Sequence, residues 1–204
     1  MGPATESREQ ERWQLVPGDL LLVTDIQNDF LPGGALAVAG GDAVIPVLNG
    51  YVDAFVARGL PVYATRDWHP PGHCSFHAQG GPWPQHCVRG TPGAEFSAAL
   101  KLPPGVTLIS KATRKDQEAY SSFHGTDLGE RLRAAGIRRL FIGGLTTDYC
   151  VLNSVKDARG LGFEVFVLAD AIRPVDVEPG DGRRAEEEMA RIGAHFITLG
   201  GLAA

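Results

Sequence analysis

An α/β fold is what the sequence predicts: a three-layer, doubly wound domain in which a mostly parallel sheet is covered by helices on both faces. Three observations carry this expectation. Short apolar runs alternate with amphipathic stretches along the whole chain, the joins between them are mostly short, and 44% hydrophobic against 21% charged residues is enough for one sizeable core.

The first run, Asp19–Thr24 (DLLLVT), is strand-sized and almost wholly apolar, so it reads as a buried strand. Helical periodicity follows over Asp42–Arg58, stopped by Gly59. Pro61–Thr65 (PVYAT) is the second strand and Val106–Ser110 (VTLIS) the third; a helix over Thr126–Ala135 ends at Gly136. Arg139–Gly143 (RLFIG) is the fourth strand, followed by a helix over Tyr149–Arg159 that closes at Gly160 or Gly162. Glu164–Ala169 (EVFVLA), a helix over Arg183–Ile192 with Gly193 behind it, and His195–Thr198 (HFIT) complete the series.

One connection breaks the rhythm. From Arg66 to Gly105 roughly forty residues carry little periodicity and many prolines, a length that in compact domains points to function or disorder. Trp68, Phe76, Trp83 and Phe96 argue against disorder, because disordered segments are poor in aromatics. The domain is expected over residues 15–204, with residues 1–14 as a flexible N-terminal segment.

Lysine and arginine number 19 against 24 aspartates and glutamates, a net charge of −5 that weighs against nucleic acid as a partner. The longest apolar runs, such as Leu20–Val23 and Val165–Ala169, fall far short of the roughly 20 residues that span a bilayer, so no membrane association is expected. The first dozen residues carry no apolar region like that of a secretory signal. Three cysteines, Cys74, Cys87 and Cys150, cannot close into a full disulfide framework, which points to a reducing cytoplasm.

Four of the six histidines, His69, His73, His77 and His86, fall between positions 69 and 86. Asp67-Trp68-His69 followed by His73 forms D-x-H-x3-H just past the second strand, and His86 can fold back from the long loop. Imidazole and carboxylate together suit a divalent transition metal such as zinc, manganese or iron; histidines facing water on a polar loop are the plain alternative. Cys74 and Cys87 each adjoin one of these histidines, so a structural Cys/His zinc site competes, although no C-x2-C pairing is present.

Cys150 lies in Gly144-Leu145-Thr146-Thr147-Asp148-Tyr149-Cys150-Val151, directly after the fourth strand and at the start of a helix. Free N–H groups there favour thiolate over thiol and can also receive an oxyanion; a buried structural cysteine is the alternative. Asp25 ends the first strand, Lys111 the third, and Cys150 follows the fourth, so all three meet Asp67 and His69 at the carboxyl edge, where such sheets bind ligands. A carboxylate, an amine and a thiol together there read as a nucleophile with its base and an electrostatic helper. Asp170 also follows a strand and is expected to be a helix cap or turn residue. Phe30 and Trp83 read either as core aromatics or as stacking partners for a flat substrate ring. Gly160-x-Gly162 reads as helix termination, and Arg183–Glu188 as the solvated face of the last helix.

The blocks Asp25-Ile26-Gln27-Asn28-Asp29-Phe30, Asp67 to Phe76, Trp83-Pro84-Gln85-His86-Cys87, Lys111, Tyr120-Ser121-Ser122-Phe123 and Gly144 to Val151 together resemble the nicotinamidases (pyrazinamidases) of the isochorismatase-like cysteine hydrolases. The resemblance runs from about Asp19 to Leu199. It implies a six-stranded parallel sheet, a catalytic triad at Cys150, Asp25 and Lys111, and one divalent metal ion per chain, zinc first with manganese or iron as alternatives, on Asp67, His69, His73 and His86. It further implies an oxyanion hole from the backbone N–H groups of Thr146 and Cys150, a cis peptide bond between Leu145 and Thr146, and a substrate site at Phe30, Leu36, Trp83 and Tyr120. The expected reaction is hydrolysis of nicotinamide to nicotinate and ammonia through a cysteine thioester, in NAD salvage, with pyrazinamide as a second substrate. An amidase for carbamoyl or ureido compounds is the runner-up; it would have no need of the metal cluster. A catalytically silent binding module would instead leave Cys150 with an ordinary thiol. A homo-oligomer is left open. Thr146 stands where the family often has alanine, His77 lies outside the usual ligand set, and Lys115 is the alternative to Lys111.

Overall fold

Every residue of the first strand, β1 (Asp19–Thr24), is buried, as a central strand covered on both faces must be. It belongs to a computed structural model that describes residues 12–203. The elements that follow are α1 (Val44–Ala57), β2 (Val62–Asp67), β3 (Thr107–Lys111), α2 (Leu128–Ala134), β4 (Arg139–Leu145), a π-helical turn (Thr147–Val151), α3 (Leu152–Gly160), β5 (Glu164–Arg173), α4 (Asp181–Arg191) and β6 (His195–Ile197). The six strands form one sheet in the order β3-β2-β1-β4-β5-β6, and every pairing is parallel.

Alternation along the strands divides the core in two. Leu21 and Val23 of β1 and Phe141 of β4 pack with Ile45, Leu48, Val52 and Phe55 of α1 on one face. Leu20 and Leu22 of β1 and Leu140 and Ile142 of β4 pack with Leu132 of α2, Val155 of α3 and Met189 of α4 on the other. Successive side chains of a strand point to opposite faces, so one apolar run serves both layers. Strand order reverses between β1 and β4, and the crevice off the carboxyl ends of two such strands is where doubly wound sheets place their ligands.

Two features differ from the sequence expectation. β5 runs on to Arg173, because two steps on β4 between Ile142 and Gly144 are matched by five on β5 between Val167 and Ile172. Asp170 lies in that bulged stretch, within β5 and not after it; its carboxylate accepts the Tyr51 hydroxyl and the N–H of Leu199, the first residue of the 3-10 turn Leu199–Gly201, each at 2.9 Å. Residues 1–11 of the segment expected to be flexible lie outside the described residues. Trp13 is held in place: it bridges to Leu202, and its ring meets Phe166 edge-on at 4.8 Å.

The long connection from β2 to β3 folds over the carboxyl edge with little regular structure. It is tied down by isolated bridges, His69 to Val88 and Phe76 to Trp83. Gly93 within it has no room for a side chain, since a Cβ there would sit 2.2 Å from the Asp29 carboxylate.

Candidate active site

Asp25 follows β1 with φ of 51°, a left-handed conformation that costs a non-glycine residue about 1–3 kcal/mol and is found where a site demands it. Ala112, directly after β3, and Cys87, directly after His86, share that conformation. The chain therefore turns sharply at three points around one crevice. Gly144 allows β4 to approach β1 there, because a Cβ would lie 2.0 Å from the Thr24 carbonyl oxygen.

Lys111, the last residue of β3, is the centre of this crevice. Its ammonium lies 2.9 Å from Asp25 Oδ2 and 3.4 Å from Cys150 Sγ, and it also donates to Asp67 Oδ1. Thr65 Oγ1–H donates to Asp25 Oδ1 at 2.6 Å. Asp25, Asp67 and Cys150 place ligand atoms within 4.8 Å of one another, a grouping that could hold a cation, and the lysine ammonium already serves as one. All four groups are buried.

Burial raises the Asp25 carboxyl above its ordinary range, and Lys111 offsets this only in part. Burial also acts to raise Asp67, but Lys111, His69 and His86 outweigh it and leave this carboxyl below the ordinary range. Lys111 is the converse case: burial works against its charge, but Asp25 and Asp67 prevail and hold it firmly protonated. Burial and the two carboxylates push the Cys150 thiol well up, against the pull of Lys111. This corrects the expectation of a thiolate favoured by a helix end. The sulfur sits at 4% exposure in a π-helical turn, and desolvation by burial is the largest influence on it. A thiol at rest needs a base, and Asp25, with its raised pKa, is placed to be one.

The second cluster adjoins the first. Asp67, His69 and His86 bring ligand atoms within 4.8 Å of one another, and all three are buried. Both ring nitrogens of His69, at 1% exposure, lack a hydrogen-bond partner among the described residues, and burial drives its pKa down to about 3, so it is a neutral imidazole with a free lone pair. A donor set of two imidazoles and one carboxylate with an orphaned ring fits a divalent transition metal. His73 stands apart from this set. Its Nε2–H donates to the Gln117 carbonyl at 3.0 Å, and its Nδ1 accepts from Ser75 Oγ at 2.7 Å. His77 is exposed, with Nδ1 3.1 Å from the Gly81 carbonyl, and Lys115 is exposed as well. Cys74 and Cys87 are free and belong to none of the metal-competent groups found among the described residues.

A half-open cavity joins the two clusters. Asp67, His86, Thr146 and Cys150 line it on the polar side, and Phe30, Leu36, Trp83 and Tyr120 supply apolar walls. Trp83 Nε1–H donates to the Tyr120 hydroxyl at 2.9 Å, which sets the indole plane. The Leu145–Thr146 peptide bond is cis.

Several contributors were not singled out from the sequence. Tyr149 and Val175 also line the cavity, and Trp83 meets the Tyr149 ring edge-on at 4.9 Å. Tyr149 is an aromatic directly beside Cys150 in the sequence, whereas Val175 carries no signal at all. Its loop is held by Asp148, whose carboxylate accepts the N–H groups of Val175 and Asp176 at 3.0 and 2.8 Å. Gln27 positions Asp67 from both sides: its Nε2 donates to the Asp67 carbonyl and its Oε1 accepts the Asp67 N–H, each at 2.8 Å. The Asp29 carboxylate accepts the Cys87 N–H at 2.7 Å and so holds the His86 loop.

Residues 19–200 match the model of the isochorismatase domain. The chain is 37% identical over 205 residues to a nicotinamidase of Escherichia coli, covering 90% of this chain and 96% of that one. It is similar in structure to the pyrazinamidase of Pyrococcus horikoshii in complex with zinc, at 49% identity and a TM-score of 0.85 over 89% of this chain and 99% of the other. It is also similar to PnC1 of L. infantum in complex with nicotinate, at 35% identity and a TM-score of 0.86 over 92% and 96% of the two chains.

Proposed function

Since the chain belongs to the isochorismatase family, we propose that it hydrolyses nicotinamide to nicotinate and ammonia through a thioester on Cys150, in NAD salvage, with pyrazinamide as a second substrate. The observation that carries this is a single cavity lined both by the Cys150 sulfur and by two of the metal donors, Asp67 and His86. A pyridine carboxamide has an amide carbon for the sulfur and a ring nitrogen for the metal donors. The relatives named nicotinamidase and pyrazinamidase, and the nicotinate bound to the L. infantum protein, support the same substrate class.

The substrate ring lies against Phe30, Leu36, Trp83 and Tyr120. Asp25 takes the Cys150 proton as the sulfur attacks the carboxamide carbon, and Lys111 offsets the negative charge that forms beside two carboxylates. The N–H groups of Thr146 and Cys150 receive the oxyanion. Asp25 returns its proton to the amine as the C–N bond breaks, and ammonia leaves a nicotinoyl thioester. Water then gives a proton to Asp25 and attacks the thioester; the C–S bond breaks, nicotinate departs, and the Cys150 thiol is restored.

Asp67, His69 and His86 would hold one divalent ion, zinc first and manganese or iron next, which supplies a Lewis-acidic anchor for the ring nitrogen and orients the amide. His73, the fourth expected ligand, supports them in this reading, since both its ring nitrogens are already engaged. A carbamoyl or ureido amide would suit the same triad, but it gives the donor cluster no role. Three free thiols favour a cytoplasmic setting. Ammonia release from nicotinamide, compared between the native protein and Cys150→Ala, tests the proposal.

A further inference from the structure

A second group of donors shares His69. One ligand atom each from His69, His73 and Glu118 lies within 4.8 Å of the others, with both imidazoles buried and the carboxylate half-buried. A metal ligand drawn from a neutral imidazole uses one ring nitrogen, and the other carries the proton. Buried, that N–H requires an acceptor, and leaving it orphaned costs about 1–3 kcal/mol. Nε2 of His69 lies 3.8 Å from Asp67 Oδ2, on the side of the proposed ion, and neither nitrogen has a partner among the described residues.

His73 cannot be that acceptor. The Gln117 carbonyl only accepts, so His73 Nε2 bears the proton, and the remaining lone pair on Nδ1 is taken by the Ser75 hydroxyl. Glu118 keeps accepting capacity: Oε1 takes the Ala119 N–H at 2.9 Å, which leaves further lone pairs on the carboxylate. Glu118 also follows Gln117 directly, and one of its carboxylate oxygens lies within 4.8 Å of a His69 ring nitrogen, close enough for a small side-chain rotation to bring the two together.

We infer that Glu118 is the positioning partner of His69, accepting its metal-free N–H and so holding the imidazole in the ligating tautomer and orientation. Carboxylate–histidine–metal arrangements of this kind strengthen ligation typically by about 10–100-fold. The inference rests on the proposed metal site at Asp67, His69 and His86, and its test separates the two.

The test is zinc affinity of the full chain, measured by chelator competition, with cobalt(II) absorption reporting the inner coordination. Glu118→Ala is expected to weaken zinc binding about 10–100-fold while the cobalt spectrum keeps its shape and the metal-free protein keeps its thermal midpoint. Glu118→Gln retains an acceptor oxygen without the charge and is expected to lose less. Unchanged affinity in Glu118→Ala overturns the inference and leaves the metal site standing. So does a changed cobalt spectrum, which would make Glu118 a direct ligand, or a fallen midpoint in the metal-free variant, which would make its role structural. A native chain that binds no zinc overturns the site itself, and the inference with it.

Discussion

The Lys111 ammonium lies 3.4 Å from the Cys150 sulfur, although their strands, β3 and β4, are separated in the sheet by β2 and β1. The lysine reaches across the carboxyl ends of two strands and meets Asp67 at the end of β2 and Asp25 after β1 on the way. One buried cation thus holds two carboxylates together and stands ready for a third anion, the thiolate.

Lys111→Met would leave Asp25 and Asp67 as close, buried like charges. Breaking a buried ion pair from one side costs about 3–5 kcal/mol, and a loss of that size is expected in the unfolding free energy from urea titration at neutral pH. A loss under about 1 kcal/mol would mean that the carboxylates find another cation or take up a proton at little cost.

The pH profile follows from Asp25. It must be ionised to take the thiol proton, and burial holds its pKa above the ordinary carboxylate value. Activity is therefore lost as pH falls through that raised pKa, so the acid limb of kcat/KM lies above about pH 4. No alkaline loss is expected near neutrality, because burial holds the Cys150 thiol well up and Lys111 stays protonated. Asp25→Asn should abolish turnover; an acid limb at or below the ordinary carboxylate value, or an active Asn variant, would remove Asp25 as the base.

Chelation should act on substrate binding. On the proposal that Asp67, His69 and His86 hold the ion, the apparent KM for nicotinamide is expected to rise on chelation and to return when zinc is restored, with kcat changing less. The opposite pattern, a fall in kcat at constant KM, would assign the ion to activating water.

Trp83→Phe keeps an aromatic wall but removes the hydrogen bond to Tyr120. A bond of about 0.5–1.5 kcal/mol corresponds to a KM roughly two- to tenfold higher, with kcat nearly unchanged. An unaltered KM would show that the indole orientation does not matter to the ring.

Much of this was legible in the sequence because the residues sit at strand ends. Apolar runs located all six strands, and strand order then carried Asp25, Asp67, Lys111 and Cys150 to one edge. What escaped were matters of long-range pairing and burial. β5 was cut short because Asp170 interrupts its apolar run, although the tertiary partners Tyr51 and Leu199 satisfy that carboxylate. His73 was grouped with the other histidines by spacing, which says nothing about the Gln117 carbonyl and Ser75 hydroxyl that engage its ring. The thiol state of Cys150 could not be judged from a helix-start pattern, because desolvation depends on everything packed around it. Val175 reaches the cavity only through a loop held by Asp148, for which the local sequence has no signature.

The central claim is that Cys150 is the nucleophile of an amide hydrolase acting on nicotinamide. Ammonia release from nicotinamide by the zinc-supplied protein, run beside Cys150→Ala prepared in the same way, tests it most directly. The account predicts release by the native chain and a loss of at least about a thousandfold in the variant, with ligand binding retained. Equal release by both proteins would contradict the cysteine mechanism, and no release by the native chain would contradict the substrate.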